Sequence, residues 1–565
     1  MKPFILAVLI SSSTISASSQ DYQQLRDSAA RMREQKKDST AFRLLTFGIK
    51  RANGHPYHND LYDAAALASL THQKDTAFYY LNQLLAEGEL EMVSCSAQGD
   101  PDFQNLKSDR RWGSLMGTAY RLKNEENLRK MGAIADCIRR QDLLRSYSDS
   151  ALNHLLFQNP GSRELYKRLR HFTQFPTVEN TSRQLRAFGV QINDSTYSFY
   201  EVQLPDHYEP TKAYPLLLVL HGAVQMNTGF PDPLTTKKYG FMDTTGMNRY
   251  FSELGYLNQI IVVYPHGNRD FNWMYPDDGF EMIPNIVKDC KHYFNVDDDR
   301  VFVSGHSNGA TGVISYLLKE PSFFAGFYGF NSNPRIRTGG TFLKNARNRS
   351  YFNVATDKDY YFPLSGHDTL ARIAGVLGID WQNHSYTGYP HWFPQFEASK
   401  IAFELMFSDM KTRKRNSFQK DLFWQCDDVA HGSCDWLTIE ELDTSSTIAN
   451  WALPVNFTAT HWVDNRDTAK VLDTLVTVFQ FPRKSGAIQA HFTNNHFEIK
   501  SSGVKKITVL ISPEMVDLSR PVTISINGKL RLTKYMKYNK VYMMASFKKN
   551  FDRRAIWVDY VTLEL

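Results

Sequence analysis

The stretch Gly305-His306-Ser307-Asn308-Gly309 restricts what this chain can fold into more than any other. It follows an apolar, β-branched run, Arg300-Val301-Phe302-Val303-Ser304. It leads into a segment where Ala310, Val313, Ile314, Leu317 and Leu318 recur at helical spacing. The pattern predicts a buried strand, a very tight turn and a helix. Such a turn strains the backbone of the serine and leaves no room for bulk two residues to either side, so both flanking positions are glycine. The serine hydroxyl is then presented at a helix N-terminus, where the dipole and free amides favour developing negative charge. Ser307 is the candidate nucleophile.

A serine hydroxyl needs an imidazole to take its proton, and the imidazole needs a carboxylate to orient it. Downstream, the run Tyr351 to Ala355 reads as a strand and ends in Thr356-Asp357-Lys358-Asp359-Tyr360-Tyr361-Phe362-Pro363. A helix (Thr369 to Leu377) follows. The chain then reaches His384-Ser385-Tyr386-Thr387-Gly388-Tyr389-Pro390-His391-Trp392 and a last amphipathic helix, Phe396 to Phe407. Asp359 and His391 are the candidate acid and base, with Asp357 and His384 as competitors. Upstream, Pro215 to Leu220 is a wholly apolar strand ending in His221-Gly222, and Ile260 to Pro265 is a second, followed by the helix Gly279 to Phe294. Apolar strands alternating with helices imply a doubly wound, mostly parallel sheet. The amides of Asn308 and of Ala223 (or Val224 beside it) are candidates for an oxyanion hole, with His221 holding their loop. The segment Asn268 to Gly279, with Trp273, Tyr275, Asp277 and Asp278, is expected at the edge of the site.

Taken together, Pro215 to Gly222, Gly305 to Gly309, the Asp359 segment and Gly388 to His391 resemble the α/β-hydrolase superfamily. Within it they are similar to the feruloyl/acetylxylan esterase and polyhydroxybutyrate-depolymerase-like group. His221-Gly222-Ala223-Val224-Gln225 resembles that group's His-Gly-Cys-x-Gln loop, with Ala223 in place of the cysteine. The resemblance implies a serine hydrolase acting on carboxylic esters through an acyl-enzyme. Acylated polysaccharide is the implied substrate, and no metal or organic cofactor is required. A prolyl-oligopeptidase-like peptidase is the rival with the same chemistry, although residues 20–170 read as helical rather than as a β-propeller. A non-catalytic binding protein on the same scaffold is the rival from another class.

At 565 residues the chain is too long for one ordinary core. Its composition, 42% hydrophobic and 22% charged, is that of a soluble globular protein, and a net charge of +6 with no dense basic run gives nucleic-acid binding no support. Met1-Lys2-Pro3, the apolar run Phe4 to Ile10 and a small-residue stretch to Gln20 describe a signal peptide over residues 1–19. The expected location is periplasmic or extracellular, with no membrane span after cleavage. Five cysteines are few for an exported chain; Cys426 and Cys434 would close a short loop, and their segment fits no usual zinc spacing.

Residues 20–170 are expected to form a helical, tetratricopeptide-like region, with helices at Tyr22–Lys36, Ser39–Arg51, Asp60–Leu70, Asp75–Glu87 and Trp112–Met131. Such arrays bind partner proteins or serve as spacers. Residues 160–195 read as a connector. The hydrolase domain is placed at 185–410. After a basic linker (411–420), residues 421–565 alternate like β-strands, with Asn527-Gly528 as a hairpin turn. A β-sandwich-like domain is expected there, with Trp424, Trp436, Trp451 and Trp462 as core residues or as stacking platforms for carbohydrate.

Overall fold

A computed structural model describes residues 22–565, apart from 23, 34, 53–55, 91, 179–184, 195, 225–246, 269–270, 275–277, 333–341, 456–457, 460–461, 464–470, 473–475 and 478–482. The signal-peptide segment therefore lies outside the described residues. The chain divides into two compact units, with the break between Gly132 and Ala133.

In the first unit, α1 (Asp38–Arg51), α2 (His58–Leu70) and α3 (Lys74–Ala86) pack in succession. Ala64, Ala65, Ala66 and Ala68 of α2 are fully buried, and their small side chains let the neighbouring helices approach closely. The next helix, α4 (Arg110–Phe157), has 48 residues and runs 26 beyond the expected end at Met131. Past Arg129 no proline interrupts the chain before Pro160, and Ala, Leu, Arg and Gln recur through it. The buried stripe of its second half, Cys137, Gln141, Ser148 and Leu152, contains two polar residues, which hide the helical periodicity.

The second unit is built on an eight-stranded sheet of order β1-β2-β4-β3-β5-β6-β7-β8. Its strands are β1 (Leu185–Gln191), β2 (Tyr197–Gln203), β3 (Tyr214–Leu220), β4 (Ile261–Pro265), β5 (Val296–His306), β6 (Gly326–Phe330), β7 (Ser350–Thr356) and β8 (Trp381–Tyr386). From β4 to β8 every pairing is parallel, while β1 and β2 are antiparallel at one edge. Helices α6 (Arg249–Leu257) and α10 (Lys400–Thr412) pack on one face through Phe251, Leu254, Phe403 and Met406. Helices α7 (Asp278–Tyr293), α8 (Asn308–Lys319) and α9 (Leu364–Val376) complete the layers. The segment 160–195 is more than a connector, because it contains α5 (Ser162–Arg170) and β1. Strand β1 escapes a pattern reading because Ala187 and Gly189 interrupt its alternation. Its Gly189 is held from α4: Gln141 Nε2 donates to Gly189 O (2.8 Å) and Gln141 Oε1 accepts from Gly189 N (2.6 Å).

Beyond Lys420 two sheets enclose one apolar core. One has the order β10-β11-β18-β21 and the other β20-β19-β17-β16-β9. Their strands are β9 (Asp421–Cys426), β10 (Ser433–Cys434), β11 (Leu437–Leu442), β16 (Gly486–Thr493), β17 (His496–Ser502), β18 (Val504–Ile511), β19 (Val522–Ile526), β20 (Lys529–Lys534) and β21 (Asp559–Glu564). Two short ladders, β12 (Thr458–Ala459) with β15 (Val476–Thr477) and β13 (Trp462–Val463) with β14 (Val471–Leu472), lie between β11 and β16 in sequence. Trp424 and Trp436 are fully buried in the core and so are not platforms. Trp451 is half-buried against Phe423, and the Trp462 side chain lies outside the described residues. The outward face of the five-stranded sheet carries Asp421, His491, Glu498 and Ser525 in one cross-strand row, over a cleft of about 690 Å³. That face is polar. Cys426 and Cys434 are both buried free thiols.

The sandwich is knitted to the eight-stranded α/β layer. Asn345 Nδ2 donates both to Leu318 O at the end of α8 (2.9 Å) and to Gln425 O on β9 (2.8 Å), and its Oδ1 accepts from Gln425 N (2.9 Å). One side chain thus satisfies a helix-end carbonyl and protects an edge strand. Deeper in, Lys291 Nζ lies 2.7 Å from Asp552 Oδ2 and 3.2 Å from Asp298 Oδ1. Arg415 grips both oxygens of Asp552 (2.7 and 2.9 Å), and Arg553 Nε donates to Asp298 (2.9 Å). All five residues are buried. Burial alone would raise the Asp552 carboxyl, but Arg415 and Lys291 outweigh it and hold it below the usual carboxylate range.

Removing one member of such a network strands the others, at about 3–5 kcal/mol. Asp552→Ala is expected to destabilise the second unit by that much in urea, with the α/β sheet and the sandwich unfolding in one transition. Two separate transitions would contradict the coupling.

Candidate active site

Ser307 sits between β5 and α8 with φ 56° and ψ −123°, a left-handed backbone that side chains rarely adopt. The reason is contact on both sides of the turn. A Cβ on Gly309 would lie 2.0 Å from Leu220 O, and one on Gly305 would lie 2.5 Å from the carbonyl carbon of Gly309. The turn is therefore pressed against the end of β3. The fully buried helix behind it fixes its position: Val313, Ile314, Leu317 and Leu318 are each at most 1% exposed, which stabilises by about 1.5–3 kcal/mol per side chain. Backbone strain of about 1–3 kcal/mol at Ser307 is thereby tolerated.

The loop after β3 passes the same point. A Cβ on Gly222 would lie 3.0 Å from Ser307 Cβ, and Ala223 also has a left-handed φ of 55°. His221 holds this loop: its Nδ1–H donates to Gly222 O (2.8 Å), and its Nε2 accepts from Gly267 N (3.2 Å). Burial, with a smaller effect from His266, lowers its pKa to about 4, so the ring is neutral and structural. Asn308 opens α8, where the first amides of a helix have no partner within the helix. Gln225 lies outside the described residues.

His391 and Asp359 meet directly. The His391 Nδ1–H donates to Asp359 Oδ2 at 2.8 Å, and both side chains are buried. Asp359 Oδ2 also accepts from Asn331 Nδ2 (3.1 Å), while Oδ1 accepts from the amides of Tyr361 and Phe362 (3.0 Å each). Four donors thus fix the orientation of the Asp359 carboxylate. Asp357 instead accepts from the Gly388 amide (2.6 Å), shaping the turn that carries His391. His384 stacks on Phe352 at 4.2 Å within β8 and has no part in the pair. Trp273 is fully buried, edge-on to His221 at 4.8 Å and packed against Gly312, so it backs the loop rather than lining a surface. Tyr275, Asp277 and the Asp278 side chain lie outside the described residues.

Two residues were not legible as part of the site. Asn331 follows β6 with a left-handed φ of 50° and donates to Thr356 Oγ1 (2.6 Å) as well as to Asp359. Its position at the carboxyl end of a parallel strand is the one signal that points to it. His306, beside the serine, donates from Nε2 to His391 O (2.8 Å), and its ring lies 4.6 Å from that of His391. Burial, followed by the neighbouring His391, lowers its pKa to about 3.

Among the described residues, Glu281, Glu320 and His431 bring possible metal-ligand atoms within 4.8 Å of one another. Glu320 lies at the far end of α8 from Ser307, about 18 Å along the helix, and His431 Nδ1 is already 3.0 Å from its carboxylate. This cluster has no part in the serine site.

His306 and His367 are buried with pKa values of about 3 and about 4, each lowered chiefly by burial, against about 6.5 in an unfolded chain. Below pH 6.5 the unfolded chain therefore binds protons that the folded one does not. Stability falls as pH drops from 6.5 towards 4, by up to ~1.4 kcal/mol per unit for each ring, and is fully present above 6.5. Urea midpoints at pH 4.5 and 7 are expected to show this drop, and a smaller one in His367→Gln.

Residues 197–334 match the family described as "Putative esterase", a span that holds Ser307 and Ala223 and stops before Asp359 and His391. No curated protein matches the chain. Among solved structures, the chain is similar to a thermostable esterase (16% identity, TM-score 0.34), covering 41% of this chain and 64% of that one. It is also similar to Thermogutta terrifontis esterase 2 (13%, 0.33, covering 41% and 96%) and to Pyrococcus horikoshii acylaminoacyl peptidase (13%, 0.31, covering 42% of each). Residues 197–334 are thus similar to that family, in a chain that also has a helical region and a β-rich region.

Proposed function

We propose that this chain is an exported serine hydrolase that cleaves carboxylic esters through an acyl-enzyme. The observation that carries the reading is the buried Asp359–His391 contact of 2.8 Å, in the same α/β domain as a serine on a strained strand-to-helix turn. Ser307 Oγ attacks the ester carbonyl while His391, with Asp359 on its Nδ1, takes the serine proton through its other nitrogen. The amides of Asn308 and Ala223 stabilise the oxyanion. His391 then returns the proton to the leaving alcohol, and a water activated by the same imidazole releases the acid. The loop and elbow residues that resemble feruloyl and acetylxylan esterases support acyl groups on polysaccharide as the substrate class. The apolar run at Phe4 to Ile10 supports export.

The test is hydrolysis of p-nitrophenyl acetate, methyl ferulate and a chromogenic X-Pro amide by the purified protein. Ester turnover is expected and should vanish in Ser307→Ala and His391→Ala; cleavage of the amide alone would replace the reading with a peptidase. Asn331→Ala is expected to lower kcat by roughly 10- to 100-fold with little change in KM, since a hydrogen bond to a charged group contributes about 1.5–3 kcal/mol. A normal kcat would remove Asn331 from the charge network.

A further inference from the structure

We infer that Trp392, Tyr360 and Tyr361 form an aromatic collar that binds the alcohol side of the substrate, and that this alcohol carries a ring with a flat apolar face. The inference rests on the proposed ester hydrolysis at Ser307.

The collar is built from two loops, the one after β7 that supplies Asp359 and the one after β8 that supplies His391. The Trp392 ring stands edge-on to the His391 imidazole at 4.9 Å, and the Tyr361 ring lies 5.0 Å from the same imidazole and 6.4 Å from Trp392. The Tyr360 ring is tilted against that of Tyr361 at 4.0 Å. Trp392 is 47% exposed and Tyr360 51%, although the imidazole they surround is only 3% exposed. Packing does not account for this exposure. The next residue, Phe393, already fills the core against Tyr386 and Tyr389, at 4.8 and 4.9 Å. Large aromatic side chains left open to water, and grouped around one buried base, mark a binding surface.

The chemistry assigns the half of the ester that meets this surface. The base that takes the serine proton later gives it to the leaving alkoxide, so the alcohol oxygen must come within hydrogen-bond reach of His391. The acyl carbonyl is the group that the Asn308 and Ala223 amides would meet in the proposed reaction. Groups that flank the imidazole therefore meet the alcohol. Trp and Tyr faces bind flat apolar surfaces, either an aryl ring or the C–H face of a pyranose. A short open-chain alcohol has no such face.

The acyl group is held constant in the test. Ethyl acetate, benzyl acetate and methyl 6-O-acetyl-glucopyranoside are compared as substrates of the full chain, of Trp392→Ala and of Trp392→Phe. The wild type is expected to favour at least one ring ester over ethyl acetate by about five- to tenfold in kcat/KM, through KM. That ratio should collapse in Trp392→Ala and largely return in Trp392→Phe. A benzyl-only preference assigns an aryl alcohol, and a glucoside-only preference assigns a sugar. No ring preference in the wild type, or a ratio untouched by Trp392→Ala, overturns the collar. If none of the esters is cleaved, the ester-hydrolase reading fails. The collar then stands or falls on whether Ser307→Ala binds benzyl alcohol or methyl glucopyranoside by saturation-transfer NMR, with that binding lost when Trp392→Ala is added.

Discussion

The approach of Gly309 to the Leu220 carbonyl is the contact on which the rest of the site depends. With 2.0 Å available where a Cβ would stand, any other residue would push the turn off the sheet. That single close approach brings three things to one point: the serine, the N-terminus of α8 and the loop after β3. A Cβ on Gly222 would in turn crowd Ser307, so the loop carrying Ala223 is pressed equally close. The left-handed backbones of Ser307 and Ala223 are strained locally, and a fully buried helix and sheet over-determine them.

Around this point the carboxylate and the imidazoles are each held by hydrogen bonds. Asp359 is held by four donors, from His391, Asn331 and two backbone amides. His221 and His306 are kept neutral chiefly by burial, and each spends its N–H on a backbone carbonyl. They therefore position loops without competing for the proton that His391 would carry. Neutral neighbours also avoid a second positive charge close to an imidazolium.

The β-sandwich belongs to the same compact unit as the eight-stranded sheet. Asn345 joins the end of the elbow helix to the edge of β9, and the buried cluster of Lys291, Arg415 and Arg553 with Asp298 and Asp552 closes the seam. A buried ion network is a poor source of net stability, but it is unforgiving of separation, because each half would expose unpaired charge to a dry interior. Burial of Trp424 and Trp436 leaves neither of these two side chains available as a stacking platform.

Local pattern determined much of this protein. The elbow was legible because glycine spacing and strand–helix alternation are short-range properties, and β3, β4 and β5 were legible because strands buried on both faces are apolar throughout. The pairing of Asp359 with His391 had competitors in the sequence, Asp357 and His384. The sequence around Asp359 and His391 favoured these two, and tertiary structure gave each competitor another partner, the Gly388 amide for Asp357 and the Phe352 ring for His384. Likewise Asn331, His306 and the second half of α4 do their work through polar contacts with residues far away in the chain, which leave no periodicity to read. The Trp residues of the sandwich are the same case in reverse: aromatic composition allows core or platform, and burial is decided by which face of a strand meets the other sheet.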